Sequence, residues 1–455
     1  MTTCHLTVQD GGPATWVAID VAKDTQEVLI AHGERRERRI MENSLEAVTR
    51  LVEHLHRLPQ PVRIRLEPTG VYHRPIAYRL LQAGFEVCFV GSLTCARYRE
   101  AHYTSWDKND RKDARVILEV LQQGMTMRYI EPLLAGWHDL QEISKTYWHV
   151  TLARTRVQHS LLTHFLPLYW PEFARYWRTS RSESFVSLLE AFPTPQHITA
   201  MTEDAFVEAA WAPAGRKVGK TAFLRGVYEL AHRSLALPVG ASTTAVQRLR
   251  LRLHTFLDLS KQRATLEGWA DALRSAHPDY QLLQNVPGIG PVFALTILAE
   301  GGDLRRFAHH RQFLKFCGLD LAKAQSGQSR GYEQLSKRGN SRLRCAFWFA
   351  GRIAVRSREH SVRDKFERYL ALDPGSADRR RKSYTAIAAK MAQIAYAVVT
   401  TGQPYRAYYE HDFPIGSTPI NRAVEAPATS QIMLEPSTGP SCCVEPAERI
   451  AHDRR

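Results

Sequence analysis

The sequence predicts an α/β domain followed by a mostly α-helical region, and three observations predict it. Short apolar runs of the kind found in strands alternate with helical patterns from the N-terminus to about residue 130. Two long stretches, 137–170 and 243–275, repeat apolar residues at helical spacing. The segment 281–400 is again helical by pattern and carries a basic face.

These patterns divide the chain into five predicted segments. They are a loose leader at 1–13, an α/β domain at 14–130, a long helical region with an insert at 131–280, a helical domain at 281–412 and a tail at 413–455. The tail is rich in Pro, Ser, Thr, Ala and Glu and shows no periodicity, which is typical of disorder.

The α/β domain is expected to contain a mixed sheet with helices on its faces. Its predicted elements are strands at 16–20, 26–32 and 36–41, a helix at 44–57, a strand at 62–66, a helix at 73–83, a strand at 86–90, a short helix and a helix at 110–123. Asp20 and Glu67 should then lie on neighbouring central strands.

Four carboxylates in this domain form a pattern typical of a site for hard divalent cations. Asp20 ends one strand-like run and Glu67 ends another, while Asp110 and Asp113 open a helical pattern. A spacing of three places the last two on one helix face. Oxygen ligands from separate elements are what Mg²⁺ requires in a site that also holds a phosphate.

Each of these residues also has an ordinary structural interpretation. A single Asp at a strand end is most often a turn former, and Asp110 could cap the helix that follows it, because acidic residues favour the first helical turn. The functional interpretation depends on all four occurring together.

The segments that carry these residues, 18–23, 67–72 and 108–114, resemble the RNase H-like (RuvC-like) domain of the DEDD insertion-sequence transposases. These recombinases work with a bridge (or seek) RNA. The residues Asn109 and Pro68 stand where the family often has Thr and Ala, and neither is one of the four carboxylates.

A second part of the resemblance lies nearer the C-terminus, at 286–291, Ser326–Gly327 and 336–344. With the first part it covers roughly 14–125 and 280–400, in the order found in the family. It implies a C-terminal transposase domain whose serine acts as the nucleophile.

The resemblance implies that Asp20, Glu67, Asp110 and Asp113 bind Mg²⁺ (or Mn²⁺) and that Ser326 attacks the DNA phosphate. A covalent phosphoserine would conserve the phosphodiester energy, so that rejoining needs no ATP. Donor ends and target DNA would be read by base pairing to a structured guide RNA, and the protein would act as a homodimer or homotetramer.

The choice of Ser326 rests on the resemblance alone. Ser329 and Ser336 are the alternatives, although Ser336 is better placed to position the turn that follows it. The histidines nearby, His309 and His310, occupy helix positions expected to face solvent, so neither is predicted as a general base.

Nucleic acid is the partner that the charge indicates. The formal net charge is +15, and Lys and Arg gain free energy when they neutralise phosphates. The Pro287–Pro291 turn predicts a helix-hairpin-helix, which binds backbone phosphate through free N–H groups, unless it is an ordinary turn between packed helices. The predicted nucleic-acid contacts are Gly288, Gly290, Arg330, Lys337, Arg338, Asn340, Arg342 and Arg344.

The two long helical stretches, 137–170 and 243–275, are interpreted either as an antiparallel pair within the chain or as a coiled coil that joins subunits. The family resemblance favours dimerisation. Between them, Ala214–Thr221 is a near match to a phosphate-binding loop, but Ala214 replaces the first Gly and no strand precedes it. We expect a basic surface loop and no ATP site.

Other classes of protein are excluded or disfavoured. The seven cysteines lack metal-ligand spacing and indicate reduced thiols, with Cys88, Cys317 and Cys345 buried. No apolar run has the length of a membrane span, so we expect a cytoplasmic protein that associates with the nucleoid when active.

Two rival functions share most of these features. A RuvC-like Holliday junction resolvase would use the same carboxylates with a metal-activated water as its nucleophile. A degenerate element could serve only as an RNA- or DNA-binding scaffold, although the presence of all four carboxylates and the serine argues against decay.

Overall fold

The computed structural model describes residues 14–68, 70–103, 116–120, 127–179, 183–215, 218–240, 242–273, 277–323, 333–357 and 361–406. The predicted leader, the tail and most of the predicted helix at 110–123 lie outside these ranges. The chain forms two compact units. The first comprises Met1–Asp139, Arg305–Asp320 and Ser336–Asn340, and the second comprises Leu140–Leu304, Leu321–Leu335 and Ser341–Arg455.

A six-stranded mixed sheet organises the first unit and confirms the predicted strands. Its strands are β1 (Thr15–Val21), β2 (Thr25–His32), β3 (Arg35–Glu42), β4 (Val62–Glu67), β5 (Glu86–Phe89) and β6 (Met127–Arg128), in the spatial order β3-β2-β1-β4-β5-β6. The pairs β1–β4 and β4–β5 are parallel, and the other pairs are antiparallel. The two-residue strand β6 was not predicted, because so short a strand is defined by its pairing with β5.

Helices cover both faces of this sheet, as predicted. They are α1 (Leu45–His56), α2 (His73–Gln82) and α3 (Ser92–Tyr103), and residues 116–120 are also helical. Ser44 caps α1 by accepting a hydrogen bond from the Ala47 amide. The alternation along β1 sends Val17 and Ile19 to the core beneath α1 and α2, and Ala18 to the opposite core, which contains residues 116–120.

Helices dominate the second unit. They are α4 (His138–Ser160), α5 (Leu166–Tyr169), α6 (Ala174–Thr179), α7 (Glu183–Ala191), α8 (Pro195–Thr199), α9 (Glu203–Trp211), α10 (Lys220–His232), α11 (Thr244–Ala272), α12 (Pro278–Gln284), α13 (Pro291–Gly301), α15 (Ser341–Ala354), α16 (Ser361–Leu370) and α17 (Ala377–Thr401), while α14 (His310–Cys317) belongs to the first unit. A short π-helix lies at Leu161–Phe165, and 3₁₀ turns lie at Pro171–Phe173 and Leu304–Arg306.

The long helices α4 and α11 form an antiparallel pair within the chain. The Tyr147 hydroxyl donates to Glu267 at 2.9 Å, and the Arg154 Nε donates to the Ser260 hydroxyl at 2.8 Å. Tyr147 precedes Arg154 on α4, whereas its partner Glu267 follows Ser260 on α11, so the two helices run in opposite directions. Burial of Tyr147, with a smaller contribution from Glu267, raises the pKa of its phenol to about 12. The first of the two alternatives for these helices is therefore confirmed.

An aromatic core fills the segment between α4 and α11. Trp170 stacks on Phe173 with ring centroids 4.3 Å apart, and Phe173 stacks on Phe185 at the same distance. The helix α11 contributes Leu253 and Phe256 to this cluster. Burial of such large rings is the main favourable term in the stability of this region.

The region 281–400 is mostly helical, as predicted, with one exception. Strands β7 (Leu321–Lys323) and β8 (Glu333–Leu335) form an antiparallel hairpin where the pattern predicted helix. Three-residue strands carry too few residues for their alternation to be detected in the sequence.

The cysteines that were expected to be buried are buried. They are Cys88, Cys317 and Cys345, and Cys95 is buried as well. The helix α9, not a strand, leads into the segment that resembles a phosphate-binding loop. In the described ranges, no helix combines the length and the apolar character needed to cross a membrane.

Candidate active site

The two strand-end carboxylates lie side by side on the sheet. Asp20 is the penultimate residue of β1 and Glu67 is the last residue of β4. These strands are parallel, and Asp20 and Glu67 are direct register partners. Register partners on parallel strands point to the same face, so both carboxylates share one face at one edge of the sheet. The predicted placement on neighbouring central strands is confirmed.

The face that carries these carboxylates is the one covered by the helical residues 116–120. Val116, Ile117 and Val120 pack in the same buried cluster as Ala18, which lies two residues before Asp20 on the same face of β1. Asp110 and Asp113 lie outside the described residues, and Asp113 precedes Val116 by three positions in the sequence.

A third carboxylate, which sequence reasoning missed, lies in the same row. Glu27 of β2 is the register partner of Asp20 on its other side, and we call Glu27, Asp20 and Glu67 the carboxylate row. Glu27 is buried. Arg38 of β3 donates to its two oxygens from Nε and Nη2, the latter at 2.9 Å. This arginine neutralises Glu27.

A buried arginine adds positive charge to the same face. Arg65 lies two residues before Glu67 on β4 and is 7% exposed. Its Nη1 donates to the Ile64 carbonyl at 3.0 Å, and its Nη2 lies 3.6 Å from Glu86. Burial lowers the pKa of its guanidinium group. Within the described part of the chain, its Nε has no hydrogen-bond partner.

The described residues include two of the four predicted metal ligands, Asp20 and Glu67. Among them, no group of three or more His, Cys, Asp or Glu side chains is arranged to hold a metal ion. The oxygens of Asp20 and Glu67 are of the type that Mg²⁺ and Mn²⁺ prefer, and a complete site needs further ligands. The predicted further ligands are Asp110 and Asp113, so the four-carboxylate site stays a prediction.

The Pro287–Pro291 turn joins two helices, as predicted, and its two glycines differ in their surroundings. Gly288 has a φ of +89°, and a Cβ built on it would lie 2.3 Å from the Ala350 carbonyl oxygen of α15. Gly290 precedes α13, and a Cβ there would meet nothing within 4 Å. Gly288 is therefore required by close packing on α15, whereas the open surroundings of Gly290 leave room for a ligand.

The residues after β8 form a fixed turn. The Ser336 hydroxyl donates to Asp320, and the Ser336 amide donates to the Asp320 carbonyl at 2.9 Å. The Asn340 amide donates to the Phe316 carbonyl at 2.8 Å. These bonds give Ser336 the positioning role that the sequence indicated. Between them, Lys337 and Arg338 are exposed.

Among the other predicted nucleic-acid contacts, Arg342 pairs with a carboxylate of the protein. It lies 2.7 Å from Glu300, and the two side chains are 24% and 10% exposed. Arg344 is half-buried on α15. Ser326, its alternative Ser329, and Arg330 lie outside the described residues, between β7 and β8. The antiparallel hairpin was not predicted, and it brings the two ends of their segment to neighbouring positions at Lys323 and Glu333.

Two family models match the regions just described. The model of the DEDD transposase domain of the IS110 type matches residues 17–171, and the model of the transposase IS116/IS110/IS902 family matches residues 280–367. Together they cover more than half of the 455 residues. The first includes Asp20, Glu67, Asp110 and Asp113, and the second includes Ser326.

Individual proteins show the same similarity. The transposase for insertion sequence element IS1111A of Coxiella burnetii is 31% identical over 137 residues, which are 30% of this chain and 36% of that protein. The IS110 uncharacterised 43.6 kDa protein of Streptomyces coelicolor is 23% identical over 339 residues, 73% of this chain and 80% of that protein. The mini-circle putative transposase for IS117 of the same organism is 26% identical over 314 residues, 66% and 73% of the two chains.

Proposed function

We propose that this chain, which belongs to the IS110/IS116/IS902 family of transposases, cuts and rejoins DNA strands under the guidance of an RNA. The observation that carries the proposal is the register pairing of Asp20 with Glu67 at adjacent strand ends, inside the matched DEDD domain. Paired carboxylates on a rigid sheet are suited to placing a divalent cation against a phosphate.

The carboxylate side of the reaction is assigned to four residues. Asp20 and Glu67 would hold Mg²⁺ or Mn²⁺ together with Asp110 and Asp113. The bound metal would supply Lewis-acid polarisation of the scissile phosphate. The protein's own contribution is rigidity, because β1 and β4 are fixed by a continuous parallel ladder up to these residues.

The covalent step is assigned to Ser326. Its Oγ would form a bond to the DNA phosphorus while the bond from phosphorus to the leaving oxygen of the strand breaks, and that oxygen takes up a proton. A hydroxyl of the accepting strand would then attack the phosphoserine and release the serine. The number of phosphodiester bonds is conserved, so the exchange needs no nucleotide cofactor.

An adduct assay tests the covalent step. Full-length protein, RNA transcribed from the element's flanking DNA and a fluorescent DNA carrying the element's end are mixed with Mg²⁺, denatured and separated by electrophoresis. A labelled protein band is expected for the parent chain and for Ser329→Ala, and its loss is expected for Ser326→Ala and Asp20→Asn. Hydrolytic cleavage that persists in Ser326→Ala would replace the proposal with a resolvase that uses water.

Sequencing of the nucleic acid that co-purifies with the protein tests the guide. The chain is expressed with its native flanking DNA, and a single structured RNA that maps to the flank is expected. The net charge of +15 supports binding of a polyanion, and the exposed Lys337 and Arg338 are suited to backbone contact. Random fragments in place of a discrete RNA would contradict the guided mechanism.

Self-association is part of the proposal. Leu251 and Trp269 on α11 are 68% and 58% exposed, so this helix retains apolar surface after pairing with α4. We propose a homodimer or homotetramer acting in the cytoplasm on nucleoid DNA. Light scattering of the purified chain should give a mass of two or four times 51.8 kDa. A monomer at all concentrations, with and without nucleic acid, would contradict the proposed assembly.

A further inference from the structure

Three cations without an ion-pair partner gather where α16 packs against α17. They are Lys365 and Arg368 of α16 and Lys390 of α17, and none forms an ion pair within the described part of the chain. Two carboxylates of these helices are paired with other cations. Glu367 lies 2.7 Å from Arg363 and Asp378 lies 2.8 Å from Lys382.

The crowding of these charges affects the ionisation of Lys365. Lys365 is half-buried, and burial lowers the pKa of its ammonium group. The positive charges of Lys390 and Arg368 lower it further. An anion bound among the three would remove this repulsion, since a phosphate accepts charge-assisted hydrogen bonds from both amine and guanidinium donors.

A shallow cavity of about 270 Å³ lies at the same place. Its lining consists of Lys365, Arg368, Tyr369 and Leu372. The Tyr369 ring is 40% exposed and Leu372 is 68% exposed, and the Lys365 ammonium lies 5.8 Å from the centre of the tyrosine ring. Cations beside an accessible aromatic ring are the features that bind a phosphate and its neighbouring unpaired base.

We propose that these five residues, Lys365, Arg368, Tyr369, Leu372 and Lys390, bind one stretch of single-stranded nucleic acid through its backbone phosphates and a base stacked on Tyr369. We call them the α16–α17 patch. Four of the five lie beyond residue 367, where the match to the family model ends. This inference rests on the proposed function in one respect, which is that the chain binds nucleic acid. It does not depend on the roles proposed for the carboxylates or for Ser326.

Fluorescence anisotropy with labelled 12-nucleotide dT and rU oligomers tests the patch in the full-length chain. The triple variant K365Q/R368Q/K390Q should bind more weakly and with a smaller salt dependence. For three phosphate contacts, the slope of log K against log salt should fall in magnitude by about 2, at roughly 0.7 per contact. Tyr369→Ala should lose about tenfold in affinity, because the ring supplies the stacking surface, whereas Tyr369→Phe should bind like the parent.

A charge-matched triple variant provides the control. K145Q/R225Q/K261Q removes the same charges from exposed residues that pair with Glu142, Glu203 and Asp258, so it should keep the parent slope. Should K365Q/R368Q/K390Q fold poorly, the single change Arg368→Gln at an exposed position replaces it, with an expected slope change of about 0.7. If the triple variant loses affinity for the dT oligomer alone, the patch binds DNA. If it loses affinity for the rU oligomer alone, the patch binds RNA.

Equal affinities and slopes for the two triple variants would overturn the inference. The inference would also be overturned if K365Q/R368Q/K390Q weakened binding only to a duplex of equal length while Tyr369→Ala kept the parent affinity, because no unpaired base would then be bound. If the patch variants bind the oligomers like the parent and still form the covalent adduct, the patch is wrong and the proposed function stands. If the patch variants lose oligomer binding but the parent itself forms no adduct, the proposed covalent mechanism is wrong and the patch stands.

Discussion

Asp20 and Glu67 are register partners on adjacent parallel strands, so their carboxylates project from the same face of the sheet at the same position along the strands. Glu27 continues the carboxylate row on the other side of Asp20, but Arg38 already neutralises it. The row therefore consists of the two predicted metal ligands and a third carboxylate that is held in an internal ion pair. This difference makes the roles of the three residues separable by experiment.

Removing either predicted metal ligand of the row, Asp20 or Glu67, should weaken metal binding. We expect Mn²⁺ to raise the melting temperature of the parent chain, because a ligand that binds only the native state stabilises it. Asp20→Asn and Glu67→Gln should each need at least tenfold more Mn²⁺ for the same shift, measured by scanning fluorimetry across a Mn²⁺ series. Glu34→Gln, at an exposed position of the β2–β3 turn, should behave like the parent, and equal Mn²⁺ responses in all variants would contradict the site.

Breaking the internal ion pair should destabilise the first unit. Arg38→Gln leaves Glu27 buried without its cation and should cost roughly 2 kcal/mol of unfolding free energy, a value reduced for the partial exposure of Arg38. The double variant E27Q/R38Q should recover most of the loss, since no charge is then left uncompensated. Urea unfolding of both single variants and the double variant gives the coupling energy. A coupling near zero would mean that the pair contributes nothing.

The two glycines of the Pro287–Pro291 turn should respond differently to the same change. Gly288→Ala places a Cβ against the Ala350 carbonyl at a φ of +89° and should cost about 3 kcal/mol of unfolding free energy. Gly290→Ala has open space at that position and should cost well under 1 kcal/mol. Chemical denaturation compares them directly, and equal losses would show that the packing of the turn on α15 is not the constraint.

Acid should weaken the first unit through Glu131. This buried carboxylate has its pKa raised by burial and lowered by hydrogen bonds from Arg74 and Tyr129, and the net shift is below the ordinary value of 4.5. A lowered pKa stabilises the fold above about pH 4.5, and this contribution is lost as pH falls through the lowered value. Glu131→Gln should cost roughly 2 kcal/mol at pH 7, and the difference from the parent should narrow below pH 4.5.

Unfolding free energies at pH 7, 4.5 and about 3 check this dependence. Glu53→Gln, at an exposed position of α1, is the matched control. Its unfolding free energy should differ from that of the parent by the same small amount at all three pH values. A constant difference between Glu131→Gln and the parent at all three values would show that Glu131 does not titrate in this range.

The sequence predicted Asp20 and Glu67 because each ends a buried run, and a run of that kind is a local pattern. Their register pairing depends on the parallel alignment of β1 with β4, which is a non-local property. Glu27 and Arg38 were missed for the same reason. They come together only through the register of β2 with β3, in which Arg38 lies opposite Leu29, the next position on the same face as Glu27.

The turn at Pro287–Pro291 was predicted from its glycines and prolines, but the different surroundings of Gly288 and Gly290 were not. The helix α15 that crowds Gly288 lies more than fifty residues further along the chain. The hairpin β7–β8 escaped prediction because its strands are too short to show alternation. Local chemistry thus identified most of the elements, and contacts between distant segments decided the details of the site.

The chain between the antiparallel helices α4 and α11, residues 161–243, is an insertion into a helical hairpin, and we call it the excursion. The Arg248 guanidinium lies 5.7 Å from the ring centre of Phe165, so the excursion leaves and returns at nearly the same point. A short linker in its place should preserve the helical hairpin, provided that the apolar side chains of α11 that face the aromatic core are made polar. This layout lets the segment change in length while α4 and α11 remain paired with each other.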